Sequence, residues 1–278
     1  MRIIVAGASG QIGDFLLPML LEQGHEIYAI SRQKRSDNSI CWLQFDLSNA
    51  VSVELPPADI LINAGSLSFL PGLESQFVAS GVRRLIALSS TSIFTKSESS
   101  DAREKAMISG LIQCEKEMFA MCERQGIGWT LFRPTLIYSL GRDKNLTLVD
   151  KQICRFRCFP LIGSGRGMRQ PVHASDLANA CVQSLETGAT VNHAYNLSGG
   201  EVLSYRDMVA RLFERRGLPV RMIPVPVLLL RALIMLLRMN PRYRYLSPNM
   251  ADRIQKDMLF SHDEASRDFG YAPRPFSP

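Results

Sequence analysis

The sequence predicts an α/β protein in which a doubly wound parallel sheet is joined by a smaller carboxyl-terminal lobe. Strand-like and helix-like stretches alternate through the first 135 residues, which is the pattern of parallel βαβ units. The chain has 278 residues, 46% of them apolar, and this is enough to bury the core of one large domain or of one domain with a smaller lobe.

The elements of the sheet follow one another in a regular order. Gly24 and Gly126 end the two long predicted helices, and Pro134 stops the last strand of this part of the chain. Strands are predicted in RIIVAG, EIYAISR, ICWLQFDL, ADILINAG, LIALSS and IGWTLFRP, and helices in QIGDFLLPMLLEQG and ISGLIQCEKEMFAMCERQG.

Beyond Pro134 the pattern becomes less regular. We expect a helix in LVDKQICRFRCF, a strand that enters a helix in RQPVHASDLANACVQSLET, and a further strand in AYNLSGG. SYRDMVARLFERRG predicts a helix capped by Ser204, with Asp207 in the capping-box position.

A glycine-rich segment, VAGASGQIG, lies between the first predicted strand and the first predicted helix. Gly7 permits a tight turn, Gly10 allows the backbone to approach a pyrophosphate, and Gly13 permits close packing of the helix on the strand. The amino terminus of the helix favours the negative charge of a phosphate. Because the glycines occur between a strand and a helix, they predict an NAD(P)-binding Rossmann fold.

This fold divides the chain unequally. We predict a dinucleotide-binding core in residues 1–135, which is rejoined by residues from about 170–197. Residues from about 136–169 and 198–278 would form a smaller substrate lobe over the cofactor cleft.

Several motifs together resemble the extended and atypical branches of the short-chain dehydrogenase/reductase superfamily, the NAD-dependent epimerase/dehydratase-like proteins. They are the Gly-x-x-Gly-x-x-Gly spacing, FDL, NAG, FRPTLIYSLG, RQPVHASDLANA and YNLSGGEVLSYRDMV, and they cover nearly the whole chain. Ser139 stands where the superfamily pattern has a glycine.

The resemblance implies where the cofactor would bind. Asp46, beside Leu47, would contact adenine, and the loop from Asn63 to Gly65 would cover the adenosine side. The complete set of predicted cofactor-binding residues is Gly7, Ser9, Gly10, Gln11, Ile12, Gly13, Ser31, Arg32, Asp46, Leu47, Asn63, Ala64, Gly65, Ser89, Gln113 and Pro134.

The end of the second strand favours NADP over NAD. An acidic residue there would bond the ribose 2′-hydroxyl and repel a 2′-phosphate. The segment AISRQKR has Ser31 and Arg32 instead, with no acid before Asp37, and arginine can form a forked, charge-assisted pair with phosphate. The alternative is that Arg32 is a solvated turn residue.

The resemblance also implies a catalytic hydroxyl, a tyrosine, and a lysine four residues after the tyrosine. Ser90, four residues before Phe94, matches the hydroxyl position. The chain contains no Tyr-x-x-x-Lys, and there is no tyrosine between Tyr28 and Tyr138. An unperturbed phenol has a pKa near 10, so the superfamily reaction depends on the missing lysine as well.

Two registers of the helix that should carry this pair remain open. Alignment on Glu117 puts Ser109 and Gln113 at the tyrosine and lysine positions. A register shifted by three residues keeps Lys116 but puts Ile112 at the tyrosine position. Tyr138 and Lys116 remain as further catalytic candidates, and a group of the second lobe is another source of the acid. A pocket that binds its ligand without chemistry is the second alternative, and hydride transfer with the proton supplied by water or by the substrate is the third.

Other polar residues have narrower predicted roles. Arg169 follows the Gly-rich basic segment GSGRGM and is predicted to bind a substrate phosphate. His173 is predicted to be structural, with Ser175 capping the following helix. The six cysteines lack the spacing of a metal site, and the net charge of +6 is spread along the chain, so we expect no metal and no nucleic-acid partner.

The apolar segment VPVLLLRALIMLLRMN, residues 225–239 with the following Asn, is interrupted by Arg231 and Arg238. It is too short to span a membrane, for which about 20 apolar residues are needed. A buried helix of the second lobe is one interpretation, and an interfacial helix that touches a membrane or a protein partner is the other.

Two functional hypotheses follow from the sequence. The first is an NADP-dependent oxidoreductase or epimerase that acts on a nucleotide-sugar or a related phosphorylated small molecule. The second is a non-catalytic NADP-binding regulator or assembly factor, which the missing tyrosine and lysine favour. The chain opens directly on a strand without a signal peptide, and this predicts a cytoplasmic protein.

Overall fold

The computed structural model describes residues 1–47, 54–97, 101–237, 239 and 254–278. The described strands are β1 (Arg2–Ala6), β2 (Glu26–Ser31), β3 (Cys41–Gln44), β4 (Ile60–Asn63), β5 (Arg84–Leu88), β6 (Gly128–Pro134), β7 (Ile137–Tyr138), β8 (Phe159–Ile162), β9 (Met168–Arg169), β10 (Val172–His173), β11 (His193–Leu197), β12 (Leu203–Ser204) and β13 (Met222–Val225). Seven of them form one parallel sheet in the order β11-β6-β5-β4-β1-β2-β3. The predicted doubly wound sheet is therefore confirmed.

Helices cover both faces of this sheet. They are α1 (Gly13–Glu22), α2 (Glu74–Ser80), α3 (Ser92–Thr95), α4 (Ala102–Gln125), α5 (Leu146–Phe156), α6 (Ala174–Glu186), α7 (Tyr205–Arg215), α8 (Val227–Leu237) and α9 (Asp263–Phe269).

Two apolar layers form because successive strand side chains point to opposite faces. On β1, Ile3 and Val5 pack in one buried cluster with α1 and α6, while Ile4 packs in another with α4. β4 is buried along its whole length, and its first three residues, 60–62, are all apolar, as a parallel sheet covered on both sides requires.

Helix ends follow the local sequence. The Asp101 carboxylate caps α4 by accepting from the backbone N–H groups of Arg103 and Glu104, and Gly126 ends the helix in a left-handed conformation at φ 63°. Ser204 caps α7 through the N–H of Asp207, as the sequence predicts. These caps satisfy backbone groups that helix ends otherwise leave unpaired.

The order of the strands creates a switch point between β1 and β4. The chain runs outward from β1 through β2 to β3 and then returns to the other side of β1 with β4. In open α/β sheets the crevice outside the carboxyl ends of such strands is where ligands bind. The loops that follow β1 and β4 therefore define the candidate site.

A third buried cluster is formed by residues that follow β6 in the chain. It contains side chains of α5, α7 and the carboxyl-terminal tail, including Ile153, Phe213 and Phe276. The chain returns to the main sheet with β11, which pairs in parallel with β6. Arg238 and residues 240–253 of the predicted second lobe lie outside the described residues.

Candidate functional site

The loop between β1 and α1 has the form of a phosphate cradle. Gly7 adopts φ +73°, and the N–H of Gly10 donates to its carbonyl at 2.9 Å. A Cβ on Gly13 would lie 2.0 Å from the carbonyl oxygen of Ala8, so only glycine lets α1 pack this closely on the loop. The exposed Gly10 stands at the mouth of the cradle, where a Cβ would contact no described atom within 4 Å except the Gly7 oxygen.

The loop after β4 closes against this cradle. A Cβ on Gly7 would lie 2.5 Å from the backbone nitrogen of Gly65, so the two loops touch through their backbones. Buried Asn63 holds the second loop in shape, because its amide donates to Ser66 and accepts from the N–H of Gly65. The structure thus brings the predicted Gly7–Gly13 and Asn63–Gly65 segments together.

Arg142 connects the segment after β7 to the cradle. Its guanidinium donates to both carboxylate oxygens of Asp14, at 2.6 and 3.1 Å, and to the carbonyl of Ser9 at 2.8 Å. Asp14 lies in the first turn of α1, where a negative charge is also stabilised by the helix dipole. This contact could not be predicted from the sequence, because nothing near either residue indicates the other.

The end of β2 presents a basic side chain beyond a buried hydroxyl. Ser31 is buried and its hydroxyl accepts from the N–H of Gln33, whereas Arg32 is exposed. Asp37, the first acid after this strand, accepts from the N–H of Ser39 in its own turn. Asp46 and Leu47 follow β3, the strand that pairs with β2.

A buried ion pair lies beneath the carboxyl ends of β5 and β6. Glu115 on α4 accepts from Nε and Nη2 of Arg133 at 3.1 and 2.6 Å, and from the Ser89 hydroxyl. The Glu115 and Arg133 side chains are only 6% and 17% exposed. Pro134 accepts from the N–H and the hydroxyl of Thr91 and so ties the end of β6 to the serine-rich turn.

Ser90 lines a cleft of about 440 Å³ between the serine-rich turn and α4. Its hydroxyl donates to Ser92 at 2.9 Å and accepts from the Ser92 N–H at 3.1 Å. The residues that line the cleft are Ser66, Ser68, Ser90, Ser92, Ala106, Met107, Ile108, Gly110, Leu111 and Cys114.

The helix residues that face Ser90 differ from those that the sequence registers assigned. Gln113 is exposed and donates to Glu117 at 2.9 Å, and Ser109 and Lys116 are exposed as well. None of the three lines the Ser90 cleft. The cleft instead meets Met107 and Leu111, which are four residues apart.

Buried Glu115 supports this different register. It lies four residues after Leu111 and eight after Met107, which is the spacing of the superfamily's Tyr-x-x-x-Lys-x-x-x-Glu helix. The exposed Glu117, on which the sequence alignment was anchored, makes no such buried contact among the described residues. On this geometry the positions of the tyrosine and the lysine carry two apolar side chains.

Tyr138 has a structural environment. It is buried, its hydroxyl accepts from the N–H of Ser277 at 3.2 Å, and its ring packs edge-on against His173 and Phe276. Burial raises the pKa of this phenol, so that it stays protonated at neutral pH and is a weaker acid than a free tyrosine. The structure does not bring Tyr138 to the Ser90 cleft.

His173 caps α6. Its Nδ1 accepts from the N–H of Ser175, so the histidine and not the predicted Ser175 is the capping residue. Burial lowers the pKa of His173 and favours the neutral ring that can accept this bond. The prediction that His173 is structural agrees with these contacts.

Arg169 is 7% exposed, and its Nη1 donates to the carbonyl oxygens of Met168 and Lys256, both at 2.7 Å. The guanidinium therefore joins β9 to the carboxyl-terminal segment. The sequence predicts that Arg169 binds a substrate phosphate. The guanidinium would have to bind that anion from this buried position.

The fold and the paired loops define a dinucleotide-binding protein architecture. The chain belongs to the NAD dependent epimerase/dehydratase family, whose model matches residues 3–71 and 73–198. This confirms the resemblance that the motifs indicate.

Three known proteins illustrate the relationship. An uncharacterised protein of Sinorhizobium fredii, y4nG, is 24% identical, and the alignment covers 98% of this chain and 74% of that protein. The UDP-glucose 4-epimerase of Vibrio cholerae is 23% identical over 81% of this chain and 79% of the enzyme. The solved structure of MoeE5 in complex with UDP-glucuronic acid and NAD superposes with a TM-score of 0.76 at 17% identity, covering 99% of this chain and 95% of that one.

Other relatives are much longer. Mycobacterial proteins that are 28% identical over 82% of this chain are matched over only 25% of their own length.

We predict that Glu115→Ala destabilises the protein by about 3–5 kcal/mol, because it leaves the guanidinium of Arg133 without its buried partner. Urea unfolding followed by circular dichroism measures the change. Glu117→Ala, on the exposed face of the same helix, is the control and should alter the free energy of unfolding by less than about 0.5 kcal/mol. Equal effects of the two substitutions would contradict the assignment of Glu115 as the buried anchor of α4.

Proposed function

We propose that this chain binds NADP(H) at the β1–α1 and β4 loops and acts on a nucleotide-sugar or a related phosphorylated small molecule. The observation that carries the first part is the cradle itself: three glycines at which a side chain is excluded or would crowd the loop, with an open mouth at Gly10. Such a cradle fits a pyrophosphate, since backbone N–H groups and the start of α1 can approach it closely.

Each part of the cradle has a distinct proposed role. Gly7, Ser9, Gly10, Gln11, Ile12 and Gly13 would hold the pyrophosphate; Asp46, Leu47, Asn63, Ala64 and Gly65 would surround the adenosine; and Ser89 and Pro134 would border the nicotinamide side. Gln113 is left out of this set because its amide is exposed and bonded to Glu117.

NADP is favoured because the position where an acid would repel a 2′-phosphate holds Ser31 and the exposed Arg32. A guanidinium in that place can donate two parallel bonds to the phosphate. The nearest acid along the chain, Asp37, is engaged in its own turn.

The substrate class rests on the family and on the related proteins, several of which are nucleotide-sugar enzymes by name. The bound nicotinamide would supply or accept a hydride. Ser90 would orient the reacting oxygen by a hydrogen bond. The proton would come from water or from the substrate, because the side chains of Met107 and Leu111 carry no proton that they could exchange. Arg169 would bind a phosphate of the substrate, as the sequence predicts.

The same two apolar residues favour a second candidate function. A pocket that binds NADP and a ligand without catalysis has no use for a phenol and an ammonium group. Such a protein would act as an NADP-binding regulator or assembly factor.

We predict that the wild-type protein binds NADP(H) more tightly than NAD(H), and that Arg32→Ala removes the preference. Loss of the charge-assisted pair should weaken NADP binding by about 10- to 100-fold and leave NAD binding unchanged. Isothermal titration calorimetry measures both affinities. Arg83→Ala, an exposed arginine that precedes β5, serves as the control, and tighter binding of NAD by the wild type would refute the preference.

Ser90→Ala should lower turnover of a confirmed substrate by about 10²–10³-fold, the cost of removing one hydrogen bond to a reacting oxygen. NADP affinity should stay nearly constant, because the phosphate grip lies at the other end of the cofactor. The starting point is a panel of nucleotide-sugar and carbonyl substrates assayed for hydride exchange. A protein that binds NADP(H) but exchanges hydride with none of them is a binding protein, and the enzymatic proposal fails.

The register of α4 can be tested by restoring the superfamily pair. Met107→Tyr combined with Leu111→Lys should raise the rate of hydride transfer above the wild type, because both side chains would enter the Ser90 cleft. Ser109→Tyr combined with Gln113→Lys is the matched control on the exposed face and should have no effect. A gain only in the control variant would show that the register read from the sequence was right.

A further inference from the structure

The outward face of α8 is apolar. Its exposed residues are spaced by one, three and four positions, so they share one side of the helix. The five large ones are 60–79% exposed, whereas Ile234 on the opposite side is 4% exposed. The residues of this face, which we call the α8 face, are Leu228, Leu229, Ala232, Met235 and Leu236 of the helix together with Met239, which follows the helix.

A helix that faces water normally exposes polar side chains, whereas α8 exposes apolar ones. Single exposed apolar side chains are normal on proteins, but a contiguous group of this size marks a surface that contacts something else. The strand just before the helix adds another exposed apolar residue, Ile223 on β13, which is 54% exposed.

The sequence around α8 indicates the chemistry of the partner of this face. From residue 219 to residue 237 the sequence contains no aspartate or glutamate, whereas it has Arg221 and Arg231. Arg221, just before β13, is exposed. The segment that carries the α8 face therefore has positive charge and no acidic side chain.

We propose that the α8 face docks the protein on an anionic lipid surface, with α8 lying in the plane of the headgroups. Leucine and methionine side chains would enter the boundary of the acyl region, and the arginines would pair with lipid phosphates. A second copy of the chain is a poor occupant, because two segments that carry positive charge and no acidic residue would then face each other.

The geometry excludes insertion across the bilayer for this helix. The 11 residues of α8 extend about 16 Å, roughly half the hydrocarbon thickness. Among the described residues, no helix combines the length and the apolar character that crossing a membrane requires.

Co-sedimentation of the full chain with vesicles tests the proposal. Vesicles of phosphatidylcholine with about 30% phosphatidylglycerol should bind the protein, vesicles of phosphatidylcholine alone should bind it much less, and about 0.5 M NaCl should weaken the binding. Leu228→Gln combined with Leu236→Gln should lower the partition coefficient by about 10- to 100-fold. Leu148→Gln combined with Leu259→Gln, two exposed leucines elsewhere, should leave it unchanged.

Three results would overturn the proposal. They are the absence of binding to anionic vesicles at low salt, equal loss of binding in both double variants with retained thermal unfolding, and a concentration-dependent dimer that only the α8 substitutions dissolve. The last result would assign the face to a second copy. Calorimetry with NADP on the same variants keeps this test separate from the proposed function, since neither pair of leucines belongs to the cofactor cradle.

Discussion

The backbone-to-backbone contact between the loops after β1 and β4 is the constraint on which the rest of the site depends. Gly7 can touch Gly65 because Gly7 carries no Cβ, which would lie 2.5 Å from the Gly65 nitrogen, and Gly13 lets α1 start against Ala8 for the same reason. Any Cβ at Gly7 or Gly13 would separate elements that the sheet order brings together. The position of α1, and with it the direction of its positive amino terminus, therefore depends on the absence of a Cβ at Gly7 and at Gly13.

Arg142 extends this constraint to the remainder of the chain. By bonding Asp14 and the Ser9 carbonyl, it fixes the segment after β7 to the cradle by contacts that are partly exposed and hence individually weak. The buried pair of Glu115 and Arg133 does the same for α4 with a stronger dependence on both partners. One ion pair thus ties the segment after β7 to the cradle, and the other ties α4 to the end of β6.

The sequence predicts what local pattern controls. The glycine loop, the caps at Ser204 and Gly126, and the doubly wound parallel sheet all follow from short motifs and alternation. A single sequence does not distinguish Glu115 from Glu117, because only the contact with Arg133 in the folded chain separates the buried carboxylate from the exposed one. The burial of Arg169 depends on a carbonyl of Lys256, far along the chain, which no local motif encodes.

Among the residues that line the Ser90 cleft there is no tyrosine and no lysine, and its polar side chains are four serines and Cys114. In the proposed register Leu111 would take the lysine position, and no ammonium group would then hold a nicotinamide ribose or lower the pKa of a neighbour. The free energy of binding a dinucleotide would then come mainly from the pyrophosphate cradle and from Arg32 at the adenosine end. In such a site the nicotinamide end would be held chiefly by the shape of the cleft. Ser90, hydrogen-bonded to Ser92, would then be one of the polar groups, together with Ser66 and Ser68, that decide what can approach the ring.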